Sequence, residues 1–169
     1  LKPFEGKILF DSQEVDDKTL FNEMVGYVPQ SSLILDDSLL NNIIFGSFKK
    51  NVDLNWIKKC IELVKLKNFV KSLPYGINTI LGEDGSKISG GQKQRIGIAR
   101  ALYSLPKILI LDEATNALDE KTEKEIFQNL KEIQKEMNLT IIIVSHNSSI
   151  DMCDKIYKID NNKLKLINE

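Results

Sequence analysis

The sequence predicts an α/β domain built on a mostly parallel sheet, and three observations carry that expectation. Two short runs, the continuously apolar Ile108 to Leu111 and the segment Thr140 to Val144, have the length and composition of buried strands. Helical patterns separate and precede them, at Gly91 to Tyr103 with Ile96, Ile98, Ala99 and Leu102 on the inward side, and at Thr122 to Met137. Strands alternating with helices at this spacing define a parallel sheet joined by crossovers.

The remaining elements follow in chain order. Lys7 to Phe10, bounded by Gly6 and Asp11, reads as a short strand, and Asp17 to Met24 as a turn of helix behind the acidic pair Asp16-Asp17. Val25 to Val28 is strand-like and stops at Pro29. Ser38 to Phe45 is a short helix with Ser38 as its N-cap and Gly46 as its stop. Asp53 to Lys67 repeats Leu54, Ile57, Ile61 and Val64 at helical spacing, and a further short helix covers Asn68 to Ser72. Gly82, Gly85, Gly90 and Gly91 form the loop leading out of this helical block, where backbone must approach something closely. Ser149 to Cys153 reads as a short helix, and Lys155 to Ile159 with Leu164 to Ile167 as a hairpin turning at Asn161-Asn162.

Bulk properties narrow the function. The 169 residues suffice for one ordinary domain, 42% are hydrophobic and 28% charged, as in globular proteins. Lysine and arginine total 23 against 24 acids, a net charge of -1 that gives no attraction to nucleic acid or to an anionic membrane. No apolar run approaches the ~20 residues that cross a bilayer, so any membrane role is expected through a partner segment. Cys60 and Cys153 have neither metal-ligand nor redox spacing and are expected as reduced thiols in a cytosolic setting.

Several short segments point to phosphate chemistry. In Ile88-Ser89-Gly90-Gly91-Gln92, two glycines let backbone amides face a ligand, Ser89 adds a hydroxyl, and the helix that begins there adds the positive end of its dipole. Ser-Gly-Gly by itself is equally a glycine-rich turn capping a helix. Ile108 to Leu111 runs into Asp112-Glu113, which places two carboxylates at the carboxyl edge of a buried strand, where open α/β sheets bind ligands. Two acids after a strand are also an ordinary exposed turn. Asp119 is a natural N-cap for the helix that follows, His146 is the chain's single histidine, and Gln30 follows Pro29.

Taken together and in this order, these segments resemble the motifs of ABC-type ATPase domains. Ile88 to Arg95 resembles the signature motif, Lys107 to Glu113 the Walker B strand, Asn116-Ala117-Leu118-Asp119 the D-loop, Gln30 the Q-loop glutamine and His146 the switch histidine. The resemblance implies ATP and Mg²⁺ as cofactors. It implies that Gln30, Ser89, Gly90, Gly91, Gln92 and Asp119 contact nucleotide, that Asp112 and Gln30 reach the metal, and that Glu113 and His146 are catalytic. Glu113 would polarise the attacking water, and His146 would contact the γ-phosphate. The implied fold is the P-loop NTPase-like ABC ATPase domain, with residues 1–30 and 91–169 as its RecA-like α/β part and residues 31–90 as Q-loop and helical signature subdomain. The sequence departs from the family's usual residues at Asn116, where serine is common, and at Asn147, where arginine is.

Ser38, Asn42-Ile43 and Phe45-Gly46, with Leu73-Pro74-Tyr75-Gly76 and Gly82-Glu83, are similar to exporter-type and flippase-type domains, departing at Ile80 and Asp84. The implied partners are the transmembrane domain of an ABC exporter, fused or separate, and a second ABC ATPase domain in a head-to-tail dimer, at the cytoplasmic face of the inner or plasma membrane. No nucleic acid is expected. A soluble ABC ATPase acting on DNA or ribosomes, or a non-catalytic remnant, are the other readings. The compact block at Asp53 to Ser72 speaks against the long insertions of the soluble class. The sequence contains no G-x-x-x-x-G-K-[ST] phosphate loop. In the family, the segment resembling Leu1 to Ile8 follows that loop's helix, so the expectation is a chain truncated at its N-terminus and inactive alone.

Overall fold

A computed structural model describes residues 6, 7, 9–14, 24–47, 51–145 and 153–168. The expected strand at Lys7 to Phe10 is shorter, β1 (Leu9–Phe10), and pairs antiparallel with β2 (Gln13–Glu14), a strand too short and polar for periodicity to reveal. The turn between them places Asp11 and Ser12 at φ 47° and 66°, the left-handed pair of a tight hairpin. The expected helical turn at Asp17 to Met24 and the short helix at Ser149 to Cys153 lie almost wholly outside the described residues.

The core is a three-stranded parallel sheet ordered β3 (Val25–Val28), β4 (Ile108–Asp112), β5 (Thr140–Val144). Gly26, Leu109 and Ile141 are in register, as are Val28, Leu111 and Ile143, so these six residues share one face. Val28, Leu109 and Leu111 are fully buried there. Gly26 is needed at the contact with the helix above, because a Cβ would lie 3.0 Å from Pro106 Cγ and 3.2 Å from the Ala101 carbonyl.

Helix α1 (Leu39–Ile44) is capped by the Ser38 hydroxyl, which accepts from the Asn41 amide, and Gly46 follows at φ +77° as the expected stop. Helix α2 (Leu54–Leu63) ends earlier than the apolar spacing predicts. Lys65 turns left-handed at φ 56°, its N–H bonding Glu62 O while the Leu66 N–H reaches back to Ile61 O. Leu66 is fully buried by that reversal, which is why the hydrophobic spacing runs on past the helix itself. Helix α3 (Lys67–Ser72) and two single 3₁₀ turns, Gly76–Asn78 and Glu83–Gly85, complete the helical block.

Two longer helices flank the sheet. Helix α4 (Gly90–Tyr103) buries Ile96, Ile98, Ala99 and Leu102. Helix α5 (Glu120–Met137) buries Ile126, Phe127, Leu130 and Ile133. It starts on Asp119, whose carboxylate accepts from the Thr122 amide, and ends on Asn138 in the left-handed conformation. The C-terminal hairpin of β6 (Ile156–Asp160) and β7 (Lys163–Asn168) turns at Asn161-Asn162, with φ 48° and 60°. Among the described residues no helix is long and apolar enough to cross a membrane.

Candidate nucleotide and hydrolysis site

Strand β4 ends at Asp112, and the next residue leaves the extended conformation sharply. Glu113 has φ 49°, a left-handed geometry that costs a non-glycine residue free energy and persists only where the surroundings impose it. Its N–H donates to the Val144 carbonyl at 2.9 Å, so strand β5 holds the turn in place. The result moves the Glu113 side chain off the strand's alternation and towards the end of β3.

There it meets Gln30. The Gln30 side-chain amide donates to Glu113 Oε2 at 2.8 Å, and the Asn116 side-chain amide donates to the same oxygen at 2.9 Å. Two neutral donors thus clamp one carboxylate oxygen. Asp112 is held differently: the Tyr27 hydroxyl donates to its Oδ2 at 2.8 Å. That hydrogen bond to Asp112 raises the Tyr27 pKa above its ordinary 10.0, with burial and the Asp112 charge adding to it. Tyr27 pairs with Ile110 across β3 and β4, which sets it one pleat from Asp112 on the same face. Neither Tyr27 nor Asn116 is singled out as a ligand by sequence spacing, because their partners are fixed by strand pairing and by the left-handed turn.

Ser89 stands at the N-cap of α4 as expected. Its hydroxyl accepts from the Gln92 amide at 3.3 Å, and the Gln92 side chain accepts from the Ser89 N–H at 2.8 Å, a complete capping box. Ser89 and Gly90 remain exposed to solvent. Gly91 packs on the loop after β4, where a Cβ would lie 3.0 Å from the Ala117 carbonyl and 3.3 Å from Leu118. Close contact with residues 117 and 118 therefore accounts for Gly91, whereas Ser89 and Gly90 stand exposed at the helix start.

Asp119, the α5 N-cap, has a pKa below the ordinary carboxylate value, chiefly through the Thr122 hydroxyl and backbone, with the Arg95 charge contributing. Arg95 is itself bonded through Nε to the Gly91 carbonyl at 3.2 Å and through Nη1 to Lys65 O at 3.0 Å, tying the end of α2 to the first turn of α4. The structure therefore brings together Gln30, Asp112 and Glu113, and places Ser89 to Gln92 against the loop that carries Asp119. His146 lies outside the described residues.

These groups fit a nucleotide triphosphate with a hard divalent cation. The exposed Ser89 hydroxyl and the amides at the start of a 14-residue helix suit phosphate oxygens. Mg²⁺ is commonly held by one or two carboxylates together with substrate phosphates and water. A single acidic ligand such as Asp112 with an amide oxygen such as that of Gln30 is consistent with this, and no cluster of three His, Cys, Asp or Glu side chains occurs among the described residues.

A parallel sheet with paired acids at its carboxyl edge, a capped glycine-rich helix start beside them and a helical block inserted before that helix define an ABC-type ATP-binding domain. The chain belongs to the ABC transporter family, whose model matches residues 1–116. It is 38% identical over 162 residues to an ATP-dependent lipid A-core flippase of Photobacterium profundum, covering 94% of this chain and 27% of the flippase. It is 41% identical over 157 residues to ABC transporter B family member 13 of Arabidopsis thaliana, covering 92% of this chain and 12% of that protein. The fold matches a bacterial Atm1-family ABC exporter solved with ATP bound, at TM-score 0.88 and 35% identity over 96% of this chain and 28% of the exporter. The chain thus spans about a quarter or less of the length of these relatives.

Proposed function

We propose that this chain is the ATP-binding and ATP-hydrolysing region of an ABC exporter or flippase, working at the cytoplasmic face of a membrane through a transmembrane domain. Similarity to an exporter and a flippase over more than nine-tenths of the chain supports the class. The observation that carries the chemistry is Glu113, held in a left-handed turn with its carboxylate clamped by Gln30 and Asn116.

In this reading, residues 1–30 and 91–169 form part of the RecA-like core, and residues 31–90 the Q-loop and helical signature subdomain. Bound Mg²⁺ would neutralise charge developing on the transferred phosphoryl group. Asp112, oriented by Tyr27, would hold that cation, with Gln30 reaching it through its amide oxygen. Glu113 would polarise the attacking water, and His146 would contact the γ-phosphate. Ser89, Gly90, Gly91 and Gln92 would bind the terminal phosphate of a nucleotide held mainly by a second ABC domain, with Asp119 at the same interface. Two ABC domains would pair head to tail, each nucleotide lying between the phosphate loop of one and the signature helix of the other.

The test is Glu113→Gln in the assembled transporter. ATP turnover should fall by about a hundredfold or more, in the range expected for loss of a general base, while ATP binding is retained. Turnover at the original rate would remove Glu113 from this role.

A further inference from the structure

Gln94 is a polar side chain in the interior of α4, only 6% exposed, and its surroundings are otherwise built for packing. A buried amide is costly unless both its ends are bonded. Here both are, and to different loops. Nε2 donates to the Gln30 backbone carbonyl at 3.3 Å, and Oε1 accepts from the Ala117 N–H at 2.9 Å.

These two bonds close a ring. From Gln30 the side chain runs to Glu113 Oε2, and Asn116 donates to that same oxygen. Asn116 is covalently followed by Ala117, whose amide returns through Gln94 to Gln30. The ring joins the end of β3, the turn after β4 and the signature helix α4, three elements distant in sequence. Two of its four hydrogen bonds belong to Gln94 alone.

We infer that Gln94 is a positioning residue that locks the Gln30 and Asn116 clamp on Glu113 to the signature helix, so that a shift of α4 or of the 116–119 loop is passed to the Glu113 carboxylate. Its functional meaning rests on the proposed role of Glu113, whereas the geometry is measurable without nucleotide. Gln94 is the buried member of this ring, whereas the Gln30 and Asn116 bonds to Glu113 lie at the surface, so its amide is the link that water cannot readily replace. A leucine would fill the Gln94 volume and provide neither bond, so packing alone does not require an amide at this position.

The test uses amide exchange and side-chain NMR of the 169-residue chain with Gln94→Leu and Gln94→Glu. In Gln94→Leu, the Ala117 amide should exchange about tenfold faster, the loss of roughly one hydrogen bond, and the Gln30 and Asn116 side-chain NH₂ signals should both shift. In Gln94→Glu the acceptor for Ala117 is kept and the donor to Gln30 is lost, so Ala117 protection should persist while the Gln30 signals move. Asn116→Ala, on an exposed loop, should shift the Gln30 NH₂ signals from the opposite side of the ring, a readout independent of whether α4 tolerates substitution. Unchanged Ala117 exchange in folded Gln94→Leu, or Gln30 signals that ignore Asn116→Ala, would overturn the ring. In the assembled transporter, Gln94→Leu should lower kcat with little change in KM. NMR changes with kcat unaltered would leave the ring standing and count against Glu113 as the water-polarising group.

Discussion

The two faces of the three-stranded sheet are finished to different degrees. On one, Val28, Leu109 and Leu111 are 0–1% exposed beneath the helices. On the other, Tyr27, Ile142 and Val144 are 54%, 46% and 47% exposed. Tyr27, Ile110 and Ile142 are in register across that open face, and Asp112 pairs with Val144 at its carboxyl edge. The contrast separates stability from chemistry. The covered face contributes the packing energy, while the acid Asp112 and its partner Tyr27 lie on the open one.

Substitution on the covered face should be the most costly. Leu109→Ala should cost about 2–5 kcal/mol in urea unfolding, because it leaves a cavity beneath α4. Ile142→Ala, half in solvent already, should cost about 1 kcal/mol or less. Equal losses at the two positions would mean that both faces are packed alike.

A smaller effect is expected where α4 meets the segment after Gln30. A Cβ on Gly97 would lie within van der Waals overlap of Ser32, 2.9 Å from its Cβ and closer to its hydroxyl. Gly97→Ala should therefore destabilise by about 1–3 kcal/mol, as overpacking does. Among the described residues the buried Ser32 hydroxyl has no hydrogen-bond partner. Ser32→Ala should accordingly be neutral or stabilising by up to about 1 kcal/mol, and should recover part of the Gly97→Ala loss. Thermal or urea unfolding of the two single variants and the double variant measures this.

On the open face the Tyr27–Asp112 contact should matter less still. Tyr27 titrates above its ordinary value because its hydroxyl is bonded to Asp112. A raised folded-state pKa means that this contact contributes stability below the ordinary tyrosine value, lost as pH rises through the higher folded value. Phenolate absorption should show one tyrosine titrating late in the native chain and moving back towards 10.0 in Asp112→Asn. An unchanged titration curve would break the Tyr27–Asp112 link.

Much of this arrangement was legible in the sequence, for identifiable reasons. The strands Val25–Val28 and Thr140–Val144 sit where their apolar runs place them, because Pro29 ends one and Asn138 restarts the chain before the other, but the expected burial of Thr140–Val144 is not met, since Ile142 and Val144 lie on the open face. Ser38 and Ser89 both cap helices as their residue type predicts. The family motifs placed Gln30, Asp112, Glu113 and Ser89 in the order that the fold then positions. What was not legible depends on backbone reversals and strand pairing. A lysine in the left-handed conformation ends α2 early, although lysine carries no such signal and the buried Leu66 extends the apolar spacing. The reach of Asn116 to Glu113 depends on another unheralded left-handed residue, and the buried role of Gln94 on two loops that meet only in the folded chain.

Ser89 to Gln92 are proposed as one half of a composite nucleotide site, completed by the phosphate loop of a second domain. The most direct measurement is equilibrium binding and Mg²⁺-dependent turnover of ATP by the purified 169-residue chain. The chain by itself should show no turnover and no tight saturable binding until a second domain provides a phosphate loop. Steady Mg²⁺-dependent hydrolysis by the isolated chain would contradict it.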